Sequence, residues 1–221
     1  MSSDSEDSGL AMPGSDEFIL IPDAQPTYSY HADEPYQRHV GDMHSKLSAT
    51  QEEAFLGPYY RSGAPFRAKL SPPHEPGKTL IIKGRVWALD DRRPLRGARI
   101  DVWHANEVGK YDNESQENPP GENDFIHRAR IYCDDHGYYE FETVRPGPYR
   151  RRGTWRAPHI HFRVERPTYV TVITQLFFEG GPHHEEDPFI KDSLIIKLRE
   201  KERHGHKYEE GVFDIVLVRE V

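Results

Sequence analysis

Residues 98–104 read ARIDVWH, and their apolar and polar side chains alternate along the chain. Successive side chains of a strand point to opposite faces, so this alternation is typical of a half-buried β-strand. Residues 79–89, TLIIKGRVWAL, predict a second strand, in which Gly84 suits a bulge or a close approach of another backbone segment. These two segments begin a β pattern that continues to residue 221.

Five further segments have a strand-like composition, and clusters of Gly and Pro separate them. They are residues 126–133, 138–144, 159–164, 170–178 and 212–219. Short strands without long helical patterns between them predict an all-β fold, an antiparallel β-sandwich of about seven or eight strands. Residues 192–202 are the one good helix candidate, which would be a short C-terminal helix.

Two segments precede the predicted sandwich. Residues 1–16 are rich in Ser, Asp, Glu and Gly, and we expect a disordered acidic tail because they have too little apolar surface to offset the entropy of ordering. Residues 17–78 are rich in Pro, which favours an irregular, extended N-terminal arm packed on the core. Residues 79–221 would form the β-sandwich domain.

The charge of the chain excludes some classes of function. Its 221 residues contain 29 Lys and Arg against 37 Asp and Glu, a net charge of −8. This acidic balance argues against a nucleic-acid-binding protein. No apolar run of about 18 residues is present, so we expect no contact with a membrane through a spanning helix. Residues 1–14 lack the basic start and apolar stretch of a secretory signal, which predicts a cytoplasmic protein.

The histidine and cysteine content points toward a particular kind of site. The single cysteine, Cys133, excludes an internal disulfide framework and an all-cysteine metal site. The chain has 13 His, which is many for its length. This excess suggests metal binding or acid–base chemistry.

The strongest local signal is the segment HIHFRV at residues 159–164. On a strand, His159 and His161 lie on one face, about 6.5–7 Å apart, and the apolar residues between and after them lie on the other. Two imidazoles at this spacing can lean together and bind one metal ion. The alternative is a pair of half-exposed histidines on the wet face of a strand.

Two tyrosines follow tight turns near this segment. Tyr149 comes directly after the turn Pro-Gly-Pro at residues 146–148, and Tyr111 follows Gly109. A tyrosinate is a hard anionic ligand that suits ferric iron better than zinc. Alternatively, Tyr149 is a core aromatic residue with its hydroxyl bonded to the backbone, and Tyr111 belongs to a surface turn. Together with the histidines, the tyrosines would supply two oxygen and two nitrogen ligands to Fe(III).

These residues lie in segments that resemble the intradiol aromatic-ring dioxygenases, and most of all the iron-binding chain of the protocatechuate 3,4-dioxygenases. The resemblance covers about residues 49–221. Its matching segments are IKGRV at 82–86, DVWHANEVGKY at 101–111, DHGYYEFETVRPGPY at 135–149, WRAPHIHF at 155–162, ITQLFFEG at 173–180 and FDIVL at 213–217.

The resemblance implies a ligand set and a division of labour among the ligands. One Fe(III) per chain would be bound by Tyr111, Tyr149, His159 and His161. Tyr111 and His161 match the in-plane ligands, and Tyr149 and His159 match the axial pair. In the family the second tyrosine leaves the metal when substrate binds and helps to take a substrate proton, and this catalytic role would belong to Tyr149.

Other residues of the resemblance match groups that contact the substrate. Arg156 matches the arginine that stabilises charge on the bound substrate, a second catalytic role. Gln175 matches a polar group on the substrate side, and Trp103 an aromatic wall of the pocket. Arg151 would lie at the rim. Residues 128–166 carry nine Arg against five acidic residues, which favours an anionic, carboxylate-bearing catechol.

The function that follows is ring cleavage. The β-sandwich domain would be catalytic and would insert O2 between the two hydroxyl-bearing carbons of a catechol-type aromatic, protocatechuate or a related diol, to give a muconate-type diacid. Its partners would be a small aromatic diol and O2, in a homo-oligomer. Two alternatives are a non-catalytic β-sandwich binding module and a cupin-type metal enzyme, the latter suggested by Gly153, His159, His161 and Glu165.

Overall fold

The structure is a computed structural model that describes residues 56–220 of the chain. The predicted tail at residues 1–16 and most of the predicted arm, residues 17–55, therefore lie outside the described residues. Among the described residues, no helix is long and apolar enough to cross a membrane.

The prediction of an all-β fold is confirmed. The described chain contains twelve strands and a single turn of 3₁₀ helix. The strands are β1 (Thr79–Ala88), β2 (Arg99–His104), β3 (Arg128–Tyr132), β4 (Tyr138–Val144), β5 (Tyr149–Arg151), β6 (Thr154–Arg156), β7 (His159–Glu165), β8 (Val172–Phe178), β9 (Ile195–Ile196), β10 (Arg199–Arg203), β11 (His206–Val212) and β12 (Ile215–Leu217).

The strands form two five-stranded sheets and one hairpin. The first sheet has the order β10-β11-β1-β12, with β4 also paired to β1, and the second has the order β3-β2-β7-β8-β9. Strands β5 and β6 form a separate hairpin. The prediction that the sheets are antiparallel is wrong in part, because β11 and β12 run parallel to β1 and β9 runs parallel to β8.

The break between β11 and β12 lies against Gly84, where the sequence predicted a bulge or a close approach of another backbone segment. A Cβ at Gly84 would lie 2.0 Å from the Phe213 carbonyl oxygen, so a side chain there would force the two segments apart. The Phe213 amide donates to the Lys83 carbonyl, and the Arg85 amide donates to Asp214 Oδ1. This bend splits the single strand predicted at residues 212–219 into parts of two strands.

The predicted C-terminal helix at residues 192–202 is wrong beyond its first turn. Only Asp192–Leu194 is helical, as a 3₁₀ turn, and β9 and β10 follow. Residues REKER of β10 favour helix locally, but they pair with β11 along Arg199–Arg203. Pairing with a neighbouring strand outweighs the local preference, which is worth only a few tenths of a kcal/mol per residue, roughly.

The two five-stranded sheets share one core. Phe141 of β4 and Phe162 of β7, both fully buried, approach with ring centroids 6.1 Å apart, and Phe213 lies 5.3 Å from Phe162. Ile100 and Val102 of β2, and Ile160 and Phe162 of β7, face this core. The residues between them lie on the opposite face of the second sheet, called the outer face below. That outer face carries the candidate site.

Candidate metal centre

One row of side chains crosses the outer face of the second sheet. In register across β3, β2, β7 and β8, the row consists of Arg128, Trp103, His161 and Gln175. All four are buried. Residues 56–61, called the covering segment below, lie over Trp103 and Arg128, and Arg156 lies against Gln175. Polar groups held without water in this way can bind a cation or an anion strongly.

The two histidines of β7 converge, as their spacing predicts. Their Nε2 atoms are 3.1 Å apart. His159 Nδ1 donates to the Ala157 carbonyl at 2.6 Å, which leaves the Nε2 lone pair directed at His161. Burial and the charge of Arg156 lower the pKa of His159 to about 3, and burial and the neighbouring His159 lower the pKa of His161. Both rings are therefore neutral, the form that binds metals.

The two tyrosines complete the convergence. The Tyr149 hydroxyl lies 3.5 Å from His159 Nε2, and the Tyr111 and Tyr149 rings meet edge to face at 5.6 Å. Within residues 56–220, the buried Tyr111 hydroxyl has no hydrogen-bond partner. Burial raises the pKa of both phenols, and the adjacent Tyr149 raises the pKa of Tyr111 further. Each would ionise only beside a compensating cation.

Two glycines bring the tyrosine-bearing segments together. Gly109 has a φ of +79°, and a Cβ there would lie 2.1 Å from the Pro148 carbonyl oxygen. A Cβ at Gly147 would lie 2.0 Å from the Glu107 carbonyl oxygen. The Pro-Gly-Pro turn thus packs directly on the loop after β2, and this contact holds Tyr149 next to Tyr111.

The donor atoms fit a hard trivalent cation. No cluster of three His, Cys, Asp or Glu side chains that could hold a metal exists in the described part of the chain. A metal here would therefore need the tyrosine oxygens as ligands beside the two imidazoles. Two anionic oxygens with two neutral nitrogens suit Fe(III) better than Zn²⁺. The unpartnered Tyr111 hydroxyl and the facing histidine nitrogens agree with such a ligand set.

The predicted substrate-side residues Arg156 and Gln175 are also brought together. The Arg156 guanidinium donates through Nη2 to Gln175 Oε1 and through Nε to Asp187 Oδ2 at 3.0 Å. Its carbon lies 6.0 Å from the centroid of the Tyr149 ring. A buried positive charge therefore stands beside the convergence of the tyrosines and histidines.

Trp103 and Arg151 have different positions. Trp103 stacks on His161 with ring centroids 4.7 Å apart and planes within 1°, so it packs against the candidate ligand itself. Arg151 is half-buried at the end of β5, on the side of Tyr59. Burial raises the pKa of Tyr59 and Glu114 adds to the rise, while the charge of Arg151 opposes it.

Sequence reasoning missed two residues of the site. Tyr59 stacks on Tyr111 at 4.3 Å and meets the edge of Tyr149 at 6.2 Å. Arg128 is 1% exposed and donates to the Tyr59 carbonyl at 2.5 Å and to Asp112 Oδ1 at 2.5 Å. It thereby ties the covering segment to the loop that carries Tyr111. The available signal was the alternation of residues 126–133, which places Arg128 on one face of the strand with Arg130.

Comparison with known proteins now identifies the family. A family model described as Dioxygenase matches residues 55–219. The chain belongs to the intradiol dioxygenase family. This confirms the resemblance found in the sequence, and it is contrary to the cupin alternative.

Curated intradiol dioxygenases of two kinds match the chain at similar identity. The chlorocatechol 1,2-dioxygenase of Pseudomonas sp. (strain P51) is 31% identical over 164 residues, which are 67% of this chain and 63% of that protein. The protocatechuate 3,4-dioxygenase beta chain of Burkholderia cepacia is 32% identical over 157 residues, 64% of this chain and 65% of that one. The chain thus spans less than two thirds of the length of these relatives.

Solved intradiol dioxygenases share the fold. The dioxygenase domain of a dioxygenase carbohydrate-binding protein fusion from Streptomyces sp. SirexAA-E has a TM-score of 0.65 and 28% identity, over 78% of this chain and 99% of that one. Catechol 1,2-dioxygenase from Acinetobacter sp. ADP1 has a TM-score of 0.69 and 25% identity, over 84% of this chain and 68% of that one.

Proposed function

We propose that this family member is a non-haem Fe(III) intradiol dioxygenase, an oxidoreductase that uses O2 to cleave a catechol-type ring between its two hydroxyl-bearing carbons. The product would be a muconate-type diacid. The observation that carries the proposal is the convergence of two neutral histidine nitrogens, 3.1 Å apart, with two buried tyrosine hydroxyls. A non-catalytic binding module has no need of such a set.

Tyr111, Tyr149, His159 and His161 would hold one Fe(III) per chain. When bound, the metal would supply a Lewis acid that accepts electron density from the diol and makes its ring reactive toward O2. The chain contributes a buried, water-poor place in which the two phenols can ionise beside the metal. Trp103 keeps the His161 ring in one orientation by stacking on it.

Tyr149 is the residue best placed to exchange with a substrate oxygen. It lies on the short hairpin of β5 and β6 rather than in a five-stranded sheet, and it is the most exposed of the four candidate ligands, at 9%. A phenolate freed there is a base that can take a proton from the incoming diol. Tyr111 is enclosed between Tyr59 and Tyr149 and has no comparable freedom.

Arg156 would stabilise negative charge that develops on the substrate. Its guanidinium is held by Asp187 and Gln175, and a fixed charge in a dry site costs no reorganisation during reaction. Gln175 would act as a polar group on the substrate side. Arg151, half-buried at the end of β5, would pair with a carboxylate on the ring, which makes protocatechuate or a related anionic catechol the proposed substrate.

The central experiment combines metal analysis, absorption and turnover. The purified protein loaded with iron should hold about one Fe per chain and show the red-brown colour of tyrosinate bound to Fe(III), which dithionite bleaches. Oxygen uptake with a panel of catechols, followed by mass analysis, should give a product that gains both oxygen atoms. A colourless protein that binds no iron would contradict the proposal and favour a binding module.

The substrate class has a separate test. Rates with protocatechuate and with catechol should differ, and Arg151→Ala should raise the KM for protocatechuate about tenfold with little change for catechol, since only the former carries a carboxylate. Arg152→Ala, on the exposed turn of the same hairpin, is the matched control. Equal effects on both substrates would argue against a carboxylate contact. Light scattering in solution tests the proposed homo-oligomer.

A further inference from the structure

We propose that Asp187 is a positioning residue that sets the orientation of Arg156; this inference rests on the proposed function. Asp187 lies in the loop between β8 and the 3₁₀ turn, in the sequence GGPHHEEDP, which carries no catalytic motif. Its side chain is 0% exposed. A carboxylate buried so completely is costly unless its charge and lone pairs are satisfied.

Asp187 satisfies its lone pairs with Arg156 and with two backbone amides. Its Oδ2 accepts from Arg156 Nε at 3.0 Å and from the Ala157 amide at 2.9 Å. Its Oδ1 accepts from the Phe189 amide at 3.0 Å. The carboxylate therefore joins its own loop to the segment between Arg156 and His159.

The contacts of Arg156 divide its guanidinium into held and available parts. Asp187 takes the Nε proton and Gln175 takes a proton of Nη2, while the Phe189 ring lies 4.4 Å from the guanidinium carbon. None of the residues from 56 to 220 accepts a hydrogen bond from Nη1. Asp187 and Gln175 together thus leave both Nη1 protons and the second Nη2 proton as the donors available to an oxygen of the substrate.

The loop holds the hairpin at a second place. His183 stacks on Trp155 of β6, with centroids 4.2 Å apart and planes within 8°. The Asp187 amide donates to the His183 carbonyl at 3.1 Å, so the stacked histidine and the buried carboxylate belong to one turn. Arg156 is thereby fixed by a loop distant in sequence rather than by the hairpin alone.

A double-mutant cycle tests whether Asp187 acts through Arg156. Asp187→Asn removes the charge and one acceptor oxygen with little change in size. We expect kcat/KM to fall about 10- to 100-fold, mainly through kcat, with iron content and the tyrosinate absorption band unchanged. Because Arg156 carries the effect, adding Asp187→Asn to Arg156→Gln should cause no further loss. Losses that multiply in the double variant would overturn the proposal.

A control separates positioning from loop capping. Asp134 also accepts two backbone amides, from His136 and Tyr138, both at 2.8 Å, but it lies in a turn away from the site. Asp134→Asn should leave kcat/KM within about twofold of the parent protein. A comparable fall in both Asn variants would assign Asp187 to generic loop stability and overturn the proposal.

Failure of the proposed function has a different signature. If the parent protein binds no iron and turns over no diol, the proposed function fails, and the four proteins of the cycle are compared by thermal unfolding without metal. Non-additive shifts of the unfolding midpoint would then support the Asp187–Arg156 pairing, and additive shifts would overturn it. If Asp187→Asn does not fold, Asp187→Glu replaces it in the same cycle.

Discussion

The outer face of the second sheet has two ends that share strands but differ in chemistry. At one end, the buried row of Arg128, Trp103, His161 and Gln175 adjoins the tyrosines of the candidate site. Two and four residues along the same strands lie two more rows: Arg130, Asp101 and Arg163, then Tyr132, Arg99 and Glu165. In these rows, Arg99 and Arg163 form ion pairs with Asp101 and Glu165.

Burial differs between the two ends and explains the chemical contrast. The side chains of Arg99, Arg163 and Glu165 are between 24% and 34% exposed, whereas the side chains of Arg128 and its partner Asp112 are 1% and 2% exposed. Water screens the partly exposed Arg99, Arg163 and Glu165, although their partner Asp101 is itself buried and accepts from Tyr60. Residues 56–61 exclude water from the site end. The alternation of the strands is the same at both ends of the face. The covering segment at residues 56–61 buries one end, and burial allows that end to bind a metal ion.

The largest effect is expected from His161→Ala, which removes one nitrogen of the converging pair. We expect iron binding to fall from about one ion per chain to a small fraction and turnover to disappear, since a site of four ligands loses one. The matched control is Arg163→Ala, two residues along the same face, which should keep iron and most activity. Metal analysis would contradict the assignment if both variants held iron equally.

Tyr149→Phe should have the next largest effect. Loss of the hydroxyl removes the proposed base and exchangeable ligand, so kcat should fall about 10²- to 10³-fold while part of the iron is retained. Tyr132→Phe, at the exposed end, is the control and should be neutral. Stopped-flow kinetics with metal analysis distinguishes the two. Full turnover in Tyr149→Phe would assign it to packing.

The free energy of unfolding should also differ between an ion pair at the buried end and one at the partly exposed end. Arg128→Met leaves Asp112 buried without its main partner and should lower the free energy of unfolding by about 3–5 kcal/mol. Arg99→Met breaks a partly exposed pair with Glu165 and should cost less than about 1 kcal/mol. Urea unfolding of the iron-free protein measures both. Equal losses of unfolding free energy in the two variants would mean that the covering segment does not exclude water from the Arg128–Asp112 pair.

The pH dependence of stability is the smallest of these effects. Burial, then the charge of His127, lowers the pKa of His104 below its ordinary value. A folded-state pKa below the unfolded one makes stability full above about pH 6.5 and lost as pH falls, by about 1.4 kcal/mol per unit. His104→Gln should reduce the slope of the unfolding free energy between pH 6.5 and 5.5 by the share of one histidine, while His159 and His161 keep theirs. Exposed His206→Gln should leave the slope unchanged. An unchanged slope in His104→Gln would contradict this.

Local patterns predicted most strands because alternation and Gly/Pro punctuation are local. Residues 138–144 were predicted with the observed bounds of β4. The β5–β6 hairpin was missed because three residues per strand carry too little periodicity to detect. The prediction of a helix at residues 192–202 was wrong because β10 pairs with β11, the next strand along the chain.

For the site, the sequence alone determined which residues share a face and which carry ligand atoms. His159 and His161 must lie on one side of a strand, because side chains alternate with a period of two. The tertiary structure decided that this side is dry, through Tyr59 and Arg128, and that Asp187 reaches Arg156 from a distant loop. Burial and long-range contacts depend on where separate segments meet, which no local pattern encodes.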